Sequence, residues 1–578
     1  MVRLLRTYLQ PYKRALALVV VLLFVQALAN LYLPTLNADI INNGVVTGNI
    51  SHIVQIGLLM LAVTLGLGIC SVVAVYYSAR TAMAFGRDVR GAMFSTVEGF
   101  SLREVDQFGT PSLITRNTND VQQVQMLVLM GLTMVVVAPI TAIGGVIMAM
   151  RENVQLSALL LVIVPLMAVV IGTLMFKAVP LFRSMQIKID RINEVLRETL
   201  SGIRVIRAFV RTRREEARFE DANDDLTETT LRVTRLFALM LPSLMLIMNL
   251  SSVAVIWFGG HLVDDGSMQI GDLTAFLQYI TQILFSVMLA VMMFVMIPRA
   301  AASAERIQAV LDTEPEIADP AEPVALPSVD RPGLVEFDDV SFSYPGAEDC
   351  VLENLTFSLR PGQMTAIVGG TGSGKTTLIN LIPRLYDVTG GTVRVDGVDV
   401  RALAQTQLWD QIALVPQKAF LFTGTIGSNV RFGAPDADEM AIWRALDTAQ
   451  AGGFVRALPE LLDAPIDQGG ANVSGGQRQR LAIARALVRR SPIYLFDDSF
   501  SALDYVTDAK LRAALRKDIA DATVVIVAQR VSTILHADQI IVLDEGRVVG
   551  IGSHPELMAS CETYQEIVHS QVTEEEVA

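Results

Sequence analysis

Six stretches within the first 300 residues are almost wholly apolar. They lie near Ala15–Leu33, Gln55–Tyr77, Met126–Met150, Leu156–Phe176, Leu236–Trp257 and Leu273–Pro298, and none has a Lys, Arg, Asp or Glu at its centre. Crossing the hydrocarbon of a bilayer takes about 20 such residues. In lipid each backbone N–H and C=O must be bonded within the chain, so each stretch is expected to be a helix. One stretch of this kind can be a buried core helix of a soluble protein; six together cannot. The composition agrees, with 52% hydrophobic and only 18% charged residues.

Charges between the stretches set a predicted orientation. PTLNADIINNGVVTGNISHIV and GGHLVDDGSMQIGD contain no Lys or Arg, whereas the loop after the second stretch carries Arg80, Arg87, Arg90, Arg103 and Arg116. Arg183 to Arg235 holds twelve basic residues. By the positive-inside rule both basic loops and both termini are expected in the cytoplasm. The N-terminus MVRLLRTYLQPYKR lacks a small-residue cleavage site and reads as a lead-in to a span rather than a removable signal. Both loops are helix-patterned, as in RINEVLRETLSGIRVIRAFVRTRREEARF, and are expected to extend the membrane helices into water and to transmit force.

The pattern changes after residue 310. DTEPEIADPAEPVALPSVDRPG is acidic, rich in Pro and aperiodic, as a linker is. From Leu334 short β-branched runs alternate with helical patterns, which predicts an α/β domain. The expected organisation is thus an all-α six-helix transmembrane domain over 1–310, a linker over 311–333, and an α/β domain over 334–578. A net charge of −13 argues against nucleic acid as a partner, which needs a basic surface. Cys70, Cys350 and Cys561 are odd in number and far apart, so neither a disulfide framework nor a metal site is expected.

GGTGSGKTT follows the strand-like TAIV and precedes the helical LINLIPRLY. It satisfies G-x-x-x-x-G-K-[ST], a phosphate cradle, so 334–578 is expected to be an α/β P-loop nucleotide-binding domain. In it Gly369, Gly370, Gly372 and Gly374, with Thr371, Ser373 and Thr377, bring backbone N–H groups against phosphates. Lys375 is placed to bridge the β- and γ-phosphates of ATP, and Thr376 to join the Mg²⁺ shell. Asp497 ends the apolar run IYLF and is placed to hold Mg²⁺, directly or through water. VSGGQRQRLAIARALVRR opens a second helix whose amides suit an anion.

In the order and spacing of these motifs, nearly the whole chain resembles a half-transporter of the ATP-binding-cassette (ABC) exporter superfamily. VSGGQ is similar to the signature LSGGQ, so the resemblance assigns Ser474, Gly475, Gly476 and Gln477 to a nucleotide held by a second chain. It makes Tyr344 in FSYPG the aromatic that stacks on adenine. Gln417 in LVPQKAFLFTGTI becomes the glutamine that senses Mg²⁺, and SALD (Ser501 to Asp504) the loop that crosses the dimer interface. The implied cycle is two chains sandwiching two ATPs, closing to turn the spans outward and opening on hydrolysis. The implied location is a bacterial cell membrane, with the nucleotide-binding domain in the cytoplasm.

Two positions depart from the family pattern. The general base of the family is a glutamate directly after the Mg²⁺ aspartate; here that position is Asp498, shorter by one methylene, about 1.3 Å of reach. A base must come within roughly 3 Å of the proton it takes. The switch histidine of the family corresponds to Gln529 in AQRVS, which cannot become a cation near neutral pH. Together they predict a site that binds ATP and hydrolyses it poorly. Because VSGGQ is nearly intact, a heterodimer is expected, with hydrolysis on the partner's phosphate loop; the alternative is a homodimer with two slow sites.

The substrate is less constrained. Spans without central charges offer no path for a bare ion. The fifth and sixth carry Met240, Met245, Met248, Met288, Met292, Met293 and Met296, with Asn249, Gln278, Tyr279 and Gln282. Methionine suits adaptable apolar surfaces. Lipophilic drugs or lipids are the expected substrates, with an exporter-fold importer of a siderophore or similar chelate, or a regulatory membrane ATPase, as the alternatives.

Overall fold

The computed structural model describes residues 1–347, 349–528 and 530–571. The chain forms two compact units, one of Met1–Glu98 with Pro111–Thr313, the other of Gly99–Thr110 with Glu314 onward.

The first unit is helical. It has six helices long and apolar enough to cross a membrane, each containing or overlapping one of the predicted stretches. Their main segments are Lys13–Asp39, Ile50–Glu98, Val121–Glu152, Leu160–Ser201, Thr212–Asp264 and Ile270–Leu311, here the first to sixth spans. Several run far past a bilayer. The fifth, with 53 residues, is about 80 Å long at 1.5 Å per residue, against about 30 Å of hydrocarbon. Arg, Glu, Ala and Leu propagate helix well, so the helices run on into the basic loops, and the second and fourth spans stop only at Glu98 and Ser201. The polar ends of the fourth and fifth spans are held together by Arg218–Glu198 (2.6 Å) and Lys188–Asp225 (3.4 Å).

The first, second, third and sixth spans pack as one bundle, and the fourth and fifth pair mainly with each other. Small residues let backbones approach. A Cβ on Gly144 would lie 2.4 Å from Leu31 Cδ1, and one on Gly145 would lie 2.8 Å from Ile283 Cγ1. At one end of the bundle Asp120 is buried and held by Arg306 Nε (2.7 Å) and Ser303 Oγ (3.0 Å), which ties the third span to the sixth.

The second unit is α/β. Its strands are β1 (Val335–Phe342), β2 (Leu352–Leu359), β3 (Met364–Gly369), β4 (Gly390–Val395), β5 (Val398–Asp399), β6 (Ile412–Val415), β7 (Gly424–Thr425), β8 (Pro465–Ile466), β9 (Ile493–Asp497), β10 (Thr523–Val527), β11 (Gln539–Asp544) and β12 (Arg547–Gly552). The main sheet runs β12-β11-β3-β10-β9-β6; a second sheet runs β2-β1-β4-β5, and β7 pairs with β8. From β11 to β6 the main sheet is parallel, and only β12 is antiparallel. β3, β9 and β10 are buried almost throughout, as parallel strands covered on both faces must be. Val527 pairs with Ile367 on one side and Asp497 on the other, so the loops leaving β3, β9 and β10 emerge side by side. Ligands of open parallel sheets bind at that carboxyl edge.

The short helix Leu102–Phe108, in the first basic loop, belongs to this unit too. Ser101 and Glu104 close a capping box at its start. Glu104 is buried and accepts from the Glu316 N–H (3.3 Å), while Arg103 pairs with Glu316.

Candidate functional site

The loop after β3 wraps a cavity of about 630 Å³, lined by Tyr344, Gly369, Gly370, Thr371, Gly372, Gly374, Lys375, Thr376, Thr377 and Gln417 among others. Its backbone is one that side chains would disrupt. Gly369 has φ 157°, and a Cβ there would sit 2.2 Å from the Leu543 carbonyl oxygen. Gly374 has φ 92°, and its Cβ would meet Leu352 Cδ2 at 2.5 Å. Only glycine fits a left-handed position with such close neighbours.

Lys375 is buried, and its ammonium donates to the carbonyls of Gly369 (3.0 Å) and Gly370 (2.6 Å) and to Ser373 Oγ (3.2 Å). Burial pushes its pKa below the ordinary lysine value, against the opposing pull of Asp498 and Asp497. A cation held inside a ring of backbone groups at the rim of a cavity fits an anionic ligand such as a triphosphate. Tyr344 stands at the same cavity, its hydroxyl 2.9 Å from Thr377 Oγ1, and its ring packs edge-on against Tyr386 and Phe342.

Thr376 Oγ1 donates to Asp497 Oδ1 at 3.1 Å. Two hard oxygen ligands side by side, next to a phosphate cradle, suit Mg²⁺, which keeps several waters and takes few protein ligands. Asp498 follows with φ 45°, a left-handed turn that Asp tolerates better than most residues. Its N–H bonds to the Val527 carbonyl (3.1 Å), and Gln417 Nε2 donates to its Oδ2 (3.3 Å). Burial raises the pKa of both carboxyls. Thr376 opposes this at Asp497, and Gln417 and Ser501 oppose it at Asp498. Gln529 lies outside the described residues.

The structure brings the phosphate loop, Tyr344, Gln417, Asp497 and Asp498 together, and leaves Ser474, Gly475, Gly476 and Gln477 elsewhere in the unit. These open the helix Gly475–Leu487, where Ser474 and Gln477 close a capping box through Gln477 N–H to Ser474 Oγ (3.2 Å) and Ser474 N–H to Gln477 Oε1 (3.0 Å). Ser474 and Gly475 are exposed, and the first amides of a helix have no acceptor within it. Gly476 lies against the Ser501–Asp504 turn, since its Cβ would come 3.2 Å from the Ala502 carbonyl.

Two positioning residues escaped sequence reasoning. Arg530 donates to the carbonyls of Ser501 (2.9 Å) and Leu503 (3.2 Å) and lies over the Tyr505 ring, which fixes the turn beside the signature helix. A cation directly after the switch position was the available signal. Arg485 reaches from the signature helix to the Phe420 carbonyl (2.9 Å) and to both oxygens of Asn429. Burial lowers its pKa, and no pattern in the sequence marks it.

In the membrane unit Met245, Met248 and Met288 line a small apolar cavity of about 290 Å³. Tyr279 instead packs in the core, its hydroxyl bonded to Thr35 Oγ1 (2.7 Å) and the Leu31 carbonyl (3.0 Å). The side chain of Met292 lies outside the described residues.

Residues 16–287 match the family described as ABC transporter transmembrane region, and residues 352–501 match the family described as ABC transporter. An uncharacterised ABC transporter ATP-binding protein of Mycobacterium tuberculosis (strain CDC 1551) is 49% identical over 571 residues, 98% of each chain. An ATP-dependent lipid A-core flippase of Syntrophus aciditrophicus (strain SB) is 32% identical over 490 residues, covering 85% of this chain and 81% of the flippase. A solved bacterial Atm1-family ABC exporter with ATP bound superposes with a TM-score of 0.81 at 26% identity, covering 98% of this chain and 100% of the other. Six membrane-crossing helices joined to an ATP-binding α/β unit define a membrane ATPase coupled to transport. The chain belongs to the ABC transporter family and has the exporter fold. It is a multi-pass membrane protein that works as a dimer in a lipid bilayer on a small-molecule substrate.

Proposed function

We propose that this chain is one half of a heterodimeric exporter in a bacterial cell membrane, with its ATP-binding unit and both termini in the cytoplasm. It moves lipophilic compounds, drugs or lipids, out of the cytoplasm or the inner leaflet. Its own site binds ATP and hydrolyses it slowly, and its signature serves the faster site of the partner. Basic loops support the orientation, and the likeness to a lipid A-core flippase supports the substrate class.

Within its own site, Lys375 would bind the phosphates, Tyr344 would stack on adenine, and Thr376, Asp497 and Gln417 would hold Mg²⁺. Bound Mg²⁺ neutralises phosphate charge and orients the transferred group. Asp498 takes the sequence position of the family's general base, directly after the Mg²⁺ aspartate. The observation that carries the slow-site reading is this residue, one methylene short and already accepting from Gln417 Nε2 at 3.3 Å. A glutamine at position 529 adds to it, since it donates a hydrogen bond but brings no positive charge.

Ser474 and the amides of Gly475 and Gly476 sit apart from this chain's own phosphate loop, so they need a second chain's nucleotide to act on. Donors aimed at a transferring phosphoryl group matter most in the transition state.

The test is purification of the tagged chain from its native membrane, followed by identification of whatever ABC chain comes with it. The expected result is a second chain with a glutamate after its Mg²⁺ aspartate, and an ATPase rate at least tenfold above that of this chain purified alone. A homodimer with full ATPase activity overturns the heterodimer.

A further inference from the structure

The cavity around the phosphate loop has one wall that no motif of the sequence accounts for. Ile567, Ser570 and Gln571 form it, beside Ala528, Arg530 and Val531 from the segment after β10. The first three belong to the last described helix, Glu562–His569, and to the turn that ends it. That helix is firmly seated. Tyr564 and Val568 are buried in one core with Met364 and Val368 of β3 and Ile540 and Val542 of β11. The Tyr564 hydroxyl lies 2.8 Å from His554 Nδ1. The Gln571 N–H donates to the Val568 carbonyl (3.1 Å), so the backbone is held as far as Gln571.

Gln571 is exposed, and its Oε1 accepts from the Val531 N–H at 2.9 Å, 40 residues earlier in the chain. Val531 is buried and opens the short helix Val531–Ile534. An amide at such a start has no acceptor within its own helix, and the preceding Arg530 supplies no side-chain cap. Gln571 supplies the acceptor instead. The amide lies in the rigid peptide plane that joins Val531 to Arg530, so the same bond fixes how Arg530 leaves the backbone. Arg530 in turn donates to the carbonyls of Ser501 (2.9 Å) and Leu503 (3.2 Å). Between these two, the Ala502 carbonyl lies against Gly476 of the signature helix.

We propose that Gln571 is a positioning residue for ATP hydrolysis: through the Val531 amide it holds Arg530, and through Arg530 it holds the turn that supports the signature helix. Its acceptor oxygen is what matters, rather than its bulk. Without that oxygen the Val531 amide turns to water, Arg530 gains freedom at its root, and its two carbonyl contacts are made for a smaller share of the time. The signature then meets a nucleotide less often in productive geometry. Turnover falls, while the binding of ATP, which rests on the phosphate loop, is spared. The turn serves whichever chain's nucleotide the signature faces, so the inference holds for a homodimer and a heterodimer alike.

The test uses the transporter dimer purified from its native membrane into lipid nanodiscs. Gln571→Met keeps the length and bulk of the side chain and removes the acceptor; Gln571→Glu keeps an acceptor. Gln571 is exposed, so both variants should fold. Deuterium exchange at the Val531 amide should rise about tenfold in Gln571→Met, as loss of a hydrogen bond allows, and stay within about twofold of wild type in Gln571→Glu. The kcat for ATP should fall about fivefold in Gln571→Met with KM changed less than about twofold, and should recover in Gln571→Glu. Added to Arg530→Met, Gln571→Met should cost less than about twofold more, because members of one network are not additive. Wild-type kcat or unchanged Val531 exchange in Gln571→Met overturns the proposal. Equal losses in Gln571→Met and Gln571→Glu overturn the acceptor role. Losses that multiply in the double variant, to about fiftyfold, overturn the route through Arg530.

Discussion

The phosphate-loop face and the signature face belong to one α/β unit and are built in opposite ways. The first is enclosed. Lys375, Asp497 and Asp498 are each less than one-tenth exposed, and their polar atoms are engaged by neighbours in the same chain. The second is open: Gly475 has no described atom within 4 Å of where a Cβ would stand, and the helix begins at the surface. An enclosed face can hold a ligand by itself, whereas an open one with free amides acts only when another body closes on it. Of the two defects predicted from the sequence, Asp498 falls on the enclosed face, and Gln529 lies outside the described residues. The open face has no defect beyond a valine where the family has leucine.

If that contrast reflects function, mutations on the open face should cost more than mutations on the enclosed one. The largest effect is expected for Gly475→Asp. No described atom of the chain clashes with the new side chain's Cβ, so the unit should fold. Its carboxylate would stand against the partner's triphosphate, and steady-state ATPase and transport should fall more than a hundredfold, by phosphate release and flux on one preparation. ATP trapping at the Lys375 site should persist, because the partner's signature caps that nucleotide. Full ATPase activity in this variant would show that the open face serves no active site.

Lys375→Ala comes next. It removes the buried ammonium of the cradle, and retention of a photo-crosslinkable ATP analogue on this chain should drop about tenfold or more, as loss of a charge-assisted contact does. Equal labelling of mutant and wild type would remove the phosphate-loop assignment. A smaller loss, about tenfold in ATPase, is expected for Arg530→Met. It keeps the bulk over Tyr505 but frees the carbonyls of Ser501 and Leu503, and with them the turn beside Gly476. Wild-type turnover in Arg530→Met would make that contact merely structural.

How much of this could be read beforehand depended on the kind of signal. The six spans were legible because lipid forces a length and a composition. The phosphate loop was legible because close backbone approach demands glycine at fixed spacing. The length of the helices beyond the membrane was only partly so, since periodicity cannot say where a continuous helix of mixed character stops. Arg485 was invisible, for its role comes from which elements meet in space. A lone arginine on an amphipathic helix has no pattern of its own. Tyr279 shows the converse: a tyrosine grouped with the methionines of the sixth span is spent on packing against the first.

The smallest effect should come from the residue that first set the two faces apart. Asp498→Asn keeps the shape of the side chain and removes its ability to take a proton. If Asp498 were a working base, general-base loss would cost the transporter about a hundredfold or more. On the slow-site proposal, its short reach and its Oδ2, already accepting from Gln417 at 3.3 Å, leave this face contributing little turnover. Steady-state ATPase of the assembled dimer should therefore fall less than about threefold. The matching glutamate-to-glutamine change in the partner should nearly abolish it. The amide introduced by Asp498→Asn can accept from Gln417 through its oxygen as the carboxylate does. Nucleotide retention at the Lys375 site should then stay near wild type, which separates loss of chemistry from loss of binding. A fall of more than a hundredfold in Asp498→Asn alone, about 2.7 kcal/mol of barrier, would make the enclosed face a true catalytic site and dissolve the asymmetry.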